Sequence, residues 1–193
     1  MSNQSDQSNQ LKEIHGAWLA AIGTILVALG STPNIGLSSK IQRDLDIVGN
    51  ALEALGSGLA ADGQALPLSL EYASNVLSSI GAIEIFTAAV IDFPATLDTK
   101  MNIQGELLQA VGTAISAADG FSDNLSIGAA ELFIGNVIQT IGSVIQVLGI
   151  TIQVNEQDKG QIFIATGSWT QAIGAVLSAI GQQLEGSQGD GQG

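Results

Sequence analysis

The segment IGNVIQTIGSVIQVLG, residues 134–149, shows the clearest structural pattern in this chain. Glycine stands at 135, 142 and 149, seven residues apart, and the large apolar residues between them recur at intervals of three and four. That rhythm is helical, because residues seven apart share nearly one face of a helix, two turns from one another. Glycine inside a helix costs about 1 kcal/mol relative to alanine. We therefore expect a second helix to approach the glycine stripe closely and recover this cost.

The same spacing recurs along the chain, so several helices are expected to pack in this way. The ladders are Gly16, Gly23 and Gly30; Gly49, Gly56 and Gly63; Gly128, Gly135, Gly142 and Gly149; and Gly160, Gly167, Gly174 and Gly181. Alignment on a shared position gives six similar segments, with Gly23, Gly49, Gly81, Gly112, Gly142 and Gly174 at that position. A β-structure is the alternative, since Val and Ile are abundant, but alternation is confined to short pieces such as residues 150–154.

These segments predict an all-α fold, an antiparallel up-and-down bundle of six helices built from internal repeats of about 31 residues. The expected helices are 11–30, 38–61, 69–91, 99–118, 125–150 and 159–184 within one domain, 11–185. Ser38 or Ser39, Ser69 and Asp98 are expected to cap the second, third and fourth helices, and Asp123 or Asn124 the fifth. The polar segment 1–10 and the Gly/Gln-rich segment 186–193 are expected to be flexible tails.

Polar residues concentrate one and four positions after the ladder glycines, and apolar residues occupy positions two, three and six. The polar stripe is narrow, so most of each helix circumference requires burial. It is also uncharged, as between Glu131 and Glu156, which favours contact with another molecule over hydration. Gln139 and Gln146 are therefore candidates for self-association, together with Trp18 and Trp169, which would either close the bundle or anchor contacts between molecules.

Composition excludes several classes of partner. The formal net charge of −13 disfavours binding to nucleic acid and to anionic lipid headgroups. The chain contains no cysteine, so no disulfide and no thiolate chemistry is available. No basic region followed by an apolar core is seen at the N-terminus, so no signal peptide is predicted, and a cytoplasmic or spore-associated location is expected.

Nothing in the sequence indicates catalysis. His15 is the only histidine, and no phosphate-binding glycine motif follows a strand pattern. The loop acids Asp92, Asp98, Asp119 and Asp123 could hold a cation, but DGFSDN lacks EF-hand spacing. We expect no catalytic residue, no cofactor and no metal.

Membrane insertion is the main alternative to a soluble bundle. The charge-free stretches reach the length of about 20 residues that a bilayer requires, and small-residue ladders suit helix packing in membranes. Against it stand the amides within those stretches, the scarcity of flanking Lys and Arg, and the internal charges Arg43, Asp44, Glu53, Glu84 and Glu106.

The AIGxxLxxIG type of motif, repeated across residues 16–184, resembles uncharacterised repetitive glycine-heptad helical proteins of spore-forming bacteria. The resemblance implies a bacterial cell or spore context and carries no functional residues. The sequence thus predicts a non-catalytic structural protein that self-associates through uncharged helix faces into an oligomer, filament or lattice. A conditionally membrane-inserting or pore-forming protein is the alternative.

Overall fold

The computed structural model describes residues 2–64, 69–121 and 126–189, and these form six α-helices and no strand. The helices are α1 (Ser2–Ser31), α2 (Ser39–Gly63), α3 (Leu70–Val90), α4 (Ala95–Asp119), α5 (Ile127–Gln153) and α6 (Gln157–Gly189). The all-α, six-helix prediction is confirmed. The repeats themselves stay a prediction.

The helix ends differ from the predictions where local contacts extend a helix. Ser38 and Ser69 cap α2 and α3 as expected, accepting hydrogen bonds from Ile41 N and Tyr72 N. The prediction that Asp98 caps the fourth helix is wrong: α4 already begins at Ala95, after Pro94. Asp123 and Asn124 lie outside the described residues, and Ser126 caps α5.

Both terminal helices run further than expected. The segment predicted as a flexible tail at 1–10 is helical from Ser2, and α6 continues to Gly189, beyond the predicted start of the C-terminal tail at 186. The amide of Gln10 donates to the carbonyl of Gly186 over 2.7 Å, which joins these two extensions. Residues 190–193 lie outside the described chain.

The helices form a closed ring in which each one packs against its neighbours in sequence, and α6 packs against α1. All six neighbouring pairs are antiparallel, as shown by contacts such as Gly23 with Gly49 and Trp18 with Gln183. We call the pairs α1·α2, α3·α4 and α5·α6 the hairpin interfaces, and α2·α3, α4·α5 and α6·α1 the seams. The hairpin end of the ring carries connections 32–38, 91–94 and 154–156, and the terminal end lies opposite.

Glycines lie where the two backbones of a hairpin touch. A Cβ atom added at Gly16 would lie 2.5 Å from Gly56 O, and one added at Gly142 would lie 2.5 Å from Gln171 N. The same holds on the described hairpin interfaces for Gly23, Gly30, Gly49, Gly56, Gly81, Gly112, Gly128, Gly135, Gly149, Gly160, Gly167, Gly174 and Gly181, where an added Cβ would lie within 3.0 Å of the facing helix. These positions therefore admit no side chain at the present helix separation.

The interior of the ring is the reverse of an ordinary soluble core. Among the described residues, the buried apolar side chains other than Val27 and Ile85 are alanines. The buried polar residues, such as Asn50, Glu53 and Ser143, are almost as numerous as the buried apolar residues. Large aliphatic side chains lie on the outside instead, with Ile127 74% and Ile173 57% exposed. The uncharged polar stripe, which was expected to contact another molecule, thus faces the ring axis.

Candidate functional site

The polar lining of the ring comes from the positions one and four residues after the packing glycines. Each packing glycine lies on the helix face that contacts the partner helix of its hairpin. The residues one and four positions later lie on an adjacent face, which is directed toward the ring axis. The polar residues with less than a tenth of their surface exposed are Thr24, Asn50, Glu53, Ser74, Glu106, Gln109, Thr113, Asn136, Ser143, Gln146, Ser168, Gln171 and Ser178. All of them except Ser74 stand at these two offsets. They come from all six helices, which together build one polar interior.

Five of these side chains cross the ring near the middle of their helices, and we call them the amide septum: Glu53, Glu106, Gln109, Gln146 and Gln171. The Nε2 atom of Gln146 donates to Gln171 Oε1 over 2.7 Å and to Glu106 Oε2 over 3.2 Å. Gln171 in turn donates to Gln109, and Gln109 is hydrogen-bonded to Glu53. The septum therefore joins two carboxyl groups through three amides.

Two cavities flank the septum. The first, on the terminal side, has a volume of about 90 Å³ and is lined by Glu53, Gln109 and Gln171 among others. The second, on the hairpin side, has about 500 Å³ and reaches Glu106, Gln146 and Ser168. Their linings have no residue in common. Two polar spaces thus approach each other from opposite ends and are separated by the septum.

A buried polar atom without a partner faces this interior. Asn136 is 5% exposed and lines the first cavity, and its Nδ2 atom has no hydrogen-bond partner among the described residues. Ser143, on a fully buried side chain of α5, is hydrogen-bonded to the Glu106 carboxyl group. An unsatisfied buried polar group costs about 1–3 kcal/mol, and a polar cavity of this size has room for several water molecules. The unpaired polar group and the size of the cavity therefore favour hydration of the lining.

The lining is acidic. Glu13, Glu53 and Glu71 line the first cavity, and Asp46, Asp98 and Glu106 the second. Among the described lining residues, the one basic side chain is Arg43, at the hairpin end of the second cavity, and its guanidinium donates to Ala89 O over 2.8 Å. Among the described residues, the ion pairs are Lys12 with Asp62 and Lys159 with Glu156, so neither septum carboxyl has a basic partner.

The candidates for self-association lie within the ring or at one of its seams. Gln146 is 3% exposed, and Gln139 is half-buried and donates to Ser178 Oγ over 2.9 Å. Both amides were predicted to contact a second molecule, but in the structure neither is free to do so. The two tryptophans join α6 to α1 and to the residue directly after it: Trp18 of α1 donates to Gln183 over 3.0 Å, and Trp169 of α6 donates to Thr32 over 2.8 Å. Of the two predicted roles, this geometry matches closure of the bundle.

Two features were not predicted from the sequence: the packing role of Gly105, and the proximity of the two septum carboxyl groups. An added Cβ at Gly105 would lie 2.7 Å from Gly81 O, so Gly105 packs α4 against α3. Its spacing of seven from Gly112 was the available signal. The proximity of Glu53 and Glu106 had no such signal, because it depends on closure of the ring.

No metal centre is formed by the described residues, which contain no group of three or more potential protein ligands. Asp92 is exposed, Asp98 faces the second cavity, and Asp123 lies outside the described chain. His15 lines neither cavity.

Comparison with known proteins gives one result. The pattern described as "Family of unknown function (DUF6944)" matches residues 11–179, and the chain belongs to this family. No curated protein and no solved structure is similar enough to count as a match.

Proposed function

We propose that this member of the family is an integral membrane protein whose six helices enclose a hydrated polar passage. The observation that carries the proposal is the inverted ring, with amides and carboxyls inside and aliphatic side chains outside. In water an exposed apolar surface of this extent is unfavourable, whereas in a bilayer it faces hydrocarbon. Membrane proteins typically turn ionisable groups toward the bundle interior.

The outer surface is apolar across the middle of the ring. Residues that directly precede a packing glycine are exposed and aliphatic at Ile22, Val48, Leu55, Ile80, Val111, Ile127, Ile134, Ile141, Leu148 and Ile173. Charged side chains on the outside gather near the helix ends, such as Lys40, Asp44 and Asp62. This distribution supports a hydrocarbon belt around the ring.

Helix length supports the same arrangement. The shortest helix, α3, has 21 residues, and about 20 residues span the hydrocarbon core. Four helices, α1, α3, α5 and α6, are long and apolar enough to cross a membrane. The other two, α2 and α4, carry Asp46, Glu53 and Glu106, which line the interior rather than the outer surface.

The positions of the basic residues predict how the protein is oriented in the membrane. Lys40, Arg43, Lys100 and Lys159 lie at or near the hairpin end, and Lys12 alone of the five lies toward the terminal end. Lys and Arg in short connections favour the cytoplasmic side. We therefore expect cysteines introduced at Asn34 and Asn155 to be labelled only from the cytoplasmic side of inverted and right-side-out vesicles, and labelling from the opposite side would contradict this orientation.

The membrane proposal is tested by vesicle flotation after cell-free synthesis. We expect wild-type protein to float and to resist alkaline carbonate. Ile141→Asp places a charge on the outer belt and should lower the inserted fraction about tenfold or more, since a charge at the bilayer centre costs about 2.5–3.5 kcal/mol.

Val154→Asp is the matched control, because Val154 is 67% exposed at the hairpin end, and its insertion should be unchanged. Wild-type protein that stays in the aqueous phase as a dispersed monomer would overturn the proposal.

Self-association in solution is the second candidate, favoured by the same exposed aliphatic side chains, which copies of the chain could cover. Glu84 on α3 lines neither cavity, and Gln104 and Lys100 are exposed on α4, so this sector interrupts the apolar belt. Large particles that form without detergent and do not float with vesicles would favour a soluble oligomer or lattice over the membrane protein.

A further inference from the structure

We propose that the interior of the ring is a path for protons and that the amide septum is its closed gate. This inference rests on the proposed membrane location and adds the transported species and the residues that control it. It is carried by three observations together: two cavities with separate linings, carboxyl groups in both, and a hydrogen-bonded layer between them.

The lining selects a positive species. Acidic rings favour cations in pores, and each cavity presents three carboxyl groups, with Arg43 as the one basic lining residue. That guanidinium is held by Ala89 O at the hairpin end, away from the septum. An anion would meet the acidic lining on either side.

The dimensions favour a proton over a hydrated metal cation. The first cavity has about 90 Å³, enough for a few water molecules and too little for an ion with a full hydration shell. Water there has the unpaired Nδ2 of Asn136 as a donor. A proton needs only a chain of water molecules and carboxyl groups, which take it up and release it without a change in space.

The gate follows from the direction of the hydrogen bonds. Gln146 donates toward Glu106, and Gln109 bonds Glu53, so each end of the amide chain is fixed on a carboxyl group. Gln171 joins the two halves, accepting from Gln146 and donating to Gln109. Amides do not readily exchange their protons, so the intact septum separates the two carboxyl groups.

Opening requires water to replace Gln171 between the carboxyls. A proton then passes from water in one cavity to the Glu53 carboxyl group, through the intervening water to the Glu106 carboxyl group, and on to water in the other cavity. Each transfer forms one O–H bond and breaks another, with no oxidant or reductant. In the closed ring, Gln171 Nε2 and Oε1 are both engaged and no such chain exists.

The test uses the full chain in liposomes that contain a pH-sensitive dye, with a potassium gradient and valinomycin to set the potential. Gln171→Ala removes the middle of the septum and should raise the rate of proton entry about tenfold over wild type. In that background, Glu53→Gln and Glu106→Gln should each return the rate to the wild-type level. Glu84→Gln is the matched control, because Glu84 lines neither cavity, and it should leave the fast rate unchanged.

Each outcome separates the inference from the membrane proposal because flotation is measured on the same samples. Protein that floats but shows equal proton entry for wild type and Gln171→Ala overturns the gate and leaves the membrane location intact. Sodium or potassium entry in Gln171→Ala that matches proton entry overturns the proton path in favour of a cation pore. If Gln171→Ala does not float, Gln171→Ser tests the gate in its place, with the same increase expected.

Discussion

The hairpin interfaces and the seams join the same six helices by different means. Inside the hairpins the backbones touch, and a Cβ at Gly142 would lie 2.5 Å from Gln171 N. At the seam α2·α3, an added Cβ at Gly58 would meet Ser79 Oγ at 3.5 Å, an ordinary contact. Seams are held by side-chain hydrogen bonds, such as Ser79 Oγ to Ala54 O and the Arg43 guanidinium to Ala89 O. The ring thus consists of three hairpins with close backbone contact, and the hairpins are joined to one another mainly through side chains.

Alanine substitution at these two glycines gives the largest expected contrast. Gly142→Ala should lower the free energy of unfolding by about 2–3 kcal/mol, because the new Cβ forces the α5 and α6 backbones apart. Gly58→Ala should raise it by up to about 1 kcal/mol through helix propensity alone. Both are measured by SDS-driven unfolding in mixed micelles followed by circular dichroism.

The opposite signs make this test strict, since both variants introduce the same methyl group into a helix. Equal effects at the two positions would show that hairpin interfaces and seams do not differ in their tolerance of side chains.

The sequence predicts the helices well because their period is local information. The glycine spacing and the residues around Gly135, Gly142 and Gly149 indicate one stripe per helix, and the six elements follow from it. Periodicity identifies faces but does not say what each face meets. Asn136, Ser143 and Gln146 form the same pattern whether they face water or a polar axis, so the sequence alone does not show that Gln146 lies inside the ring.

The septum could not be predicted from the sequence, for a different reason. Glu53 and Gln109 come from helices α2 and α4, which are not neighbours in the ring, and Gln171 comes from α6. Such contacts appear only when six helices close around one axis. Local patterns in α2 or α4 show these residues merely as charges and amides that interrupt an apolar helix.

A smaller effect is expected at the seam α4·α5, where the hydroxyls of Thr113 and Thr140 lie 2.8 Å apart. Thr113→Val keeps the β-branched shape and removes one hydroxyl, so it should lower the free energy of unfolding by about 1 kcal/mol. The double variant Thr113→Val, Thr140→Val should cost less than twice that amount, because no hydroxyl is left unpaired across the seam. Strict additivity of the two single variants in the same unfolding assay would show that the hydroxyls do not interact.

The smallest effect is expected for Ser79→Ala at the seam α2·α3. Ser79 Oγ donates to Ala54 O over 2.9 Å, and this carbonyl lies within α2, where it also accepts the backbone bond of the helix. Loss of the serine hydroxyl therefore leaves no carbonyl unsatisfied, and the free energy of unfolding should fall by about 0.5 kcal/mol.

Ser74→Ala is the paired variant inside a hairpin, since Ser74 is buried and donates to Gly112 O over 2.7 Å at the glycine contact. Ser74→Ala leaves a small void between closely packed backbones, so it should lower the free energy of unfolding more than Ser79→Ala does. The reverse order would show that the seams contribute more to stability than the hairpin interfaces do.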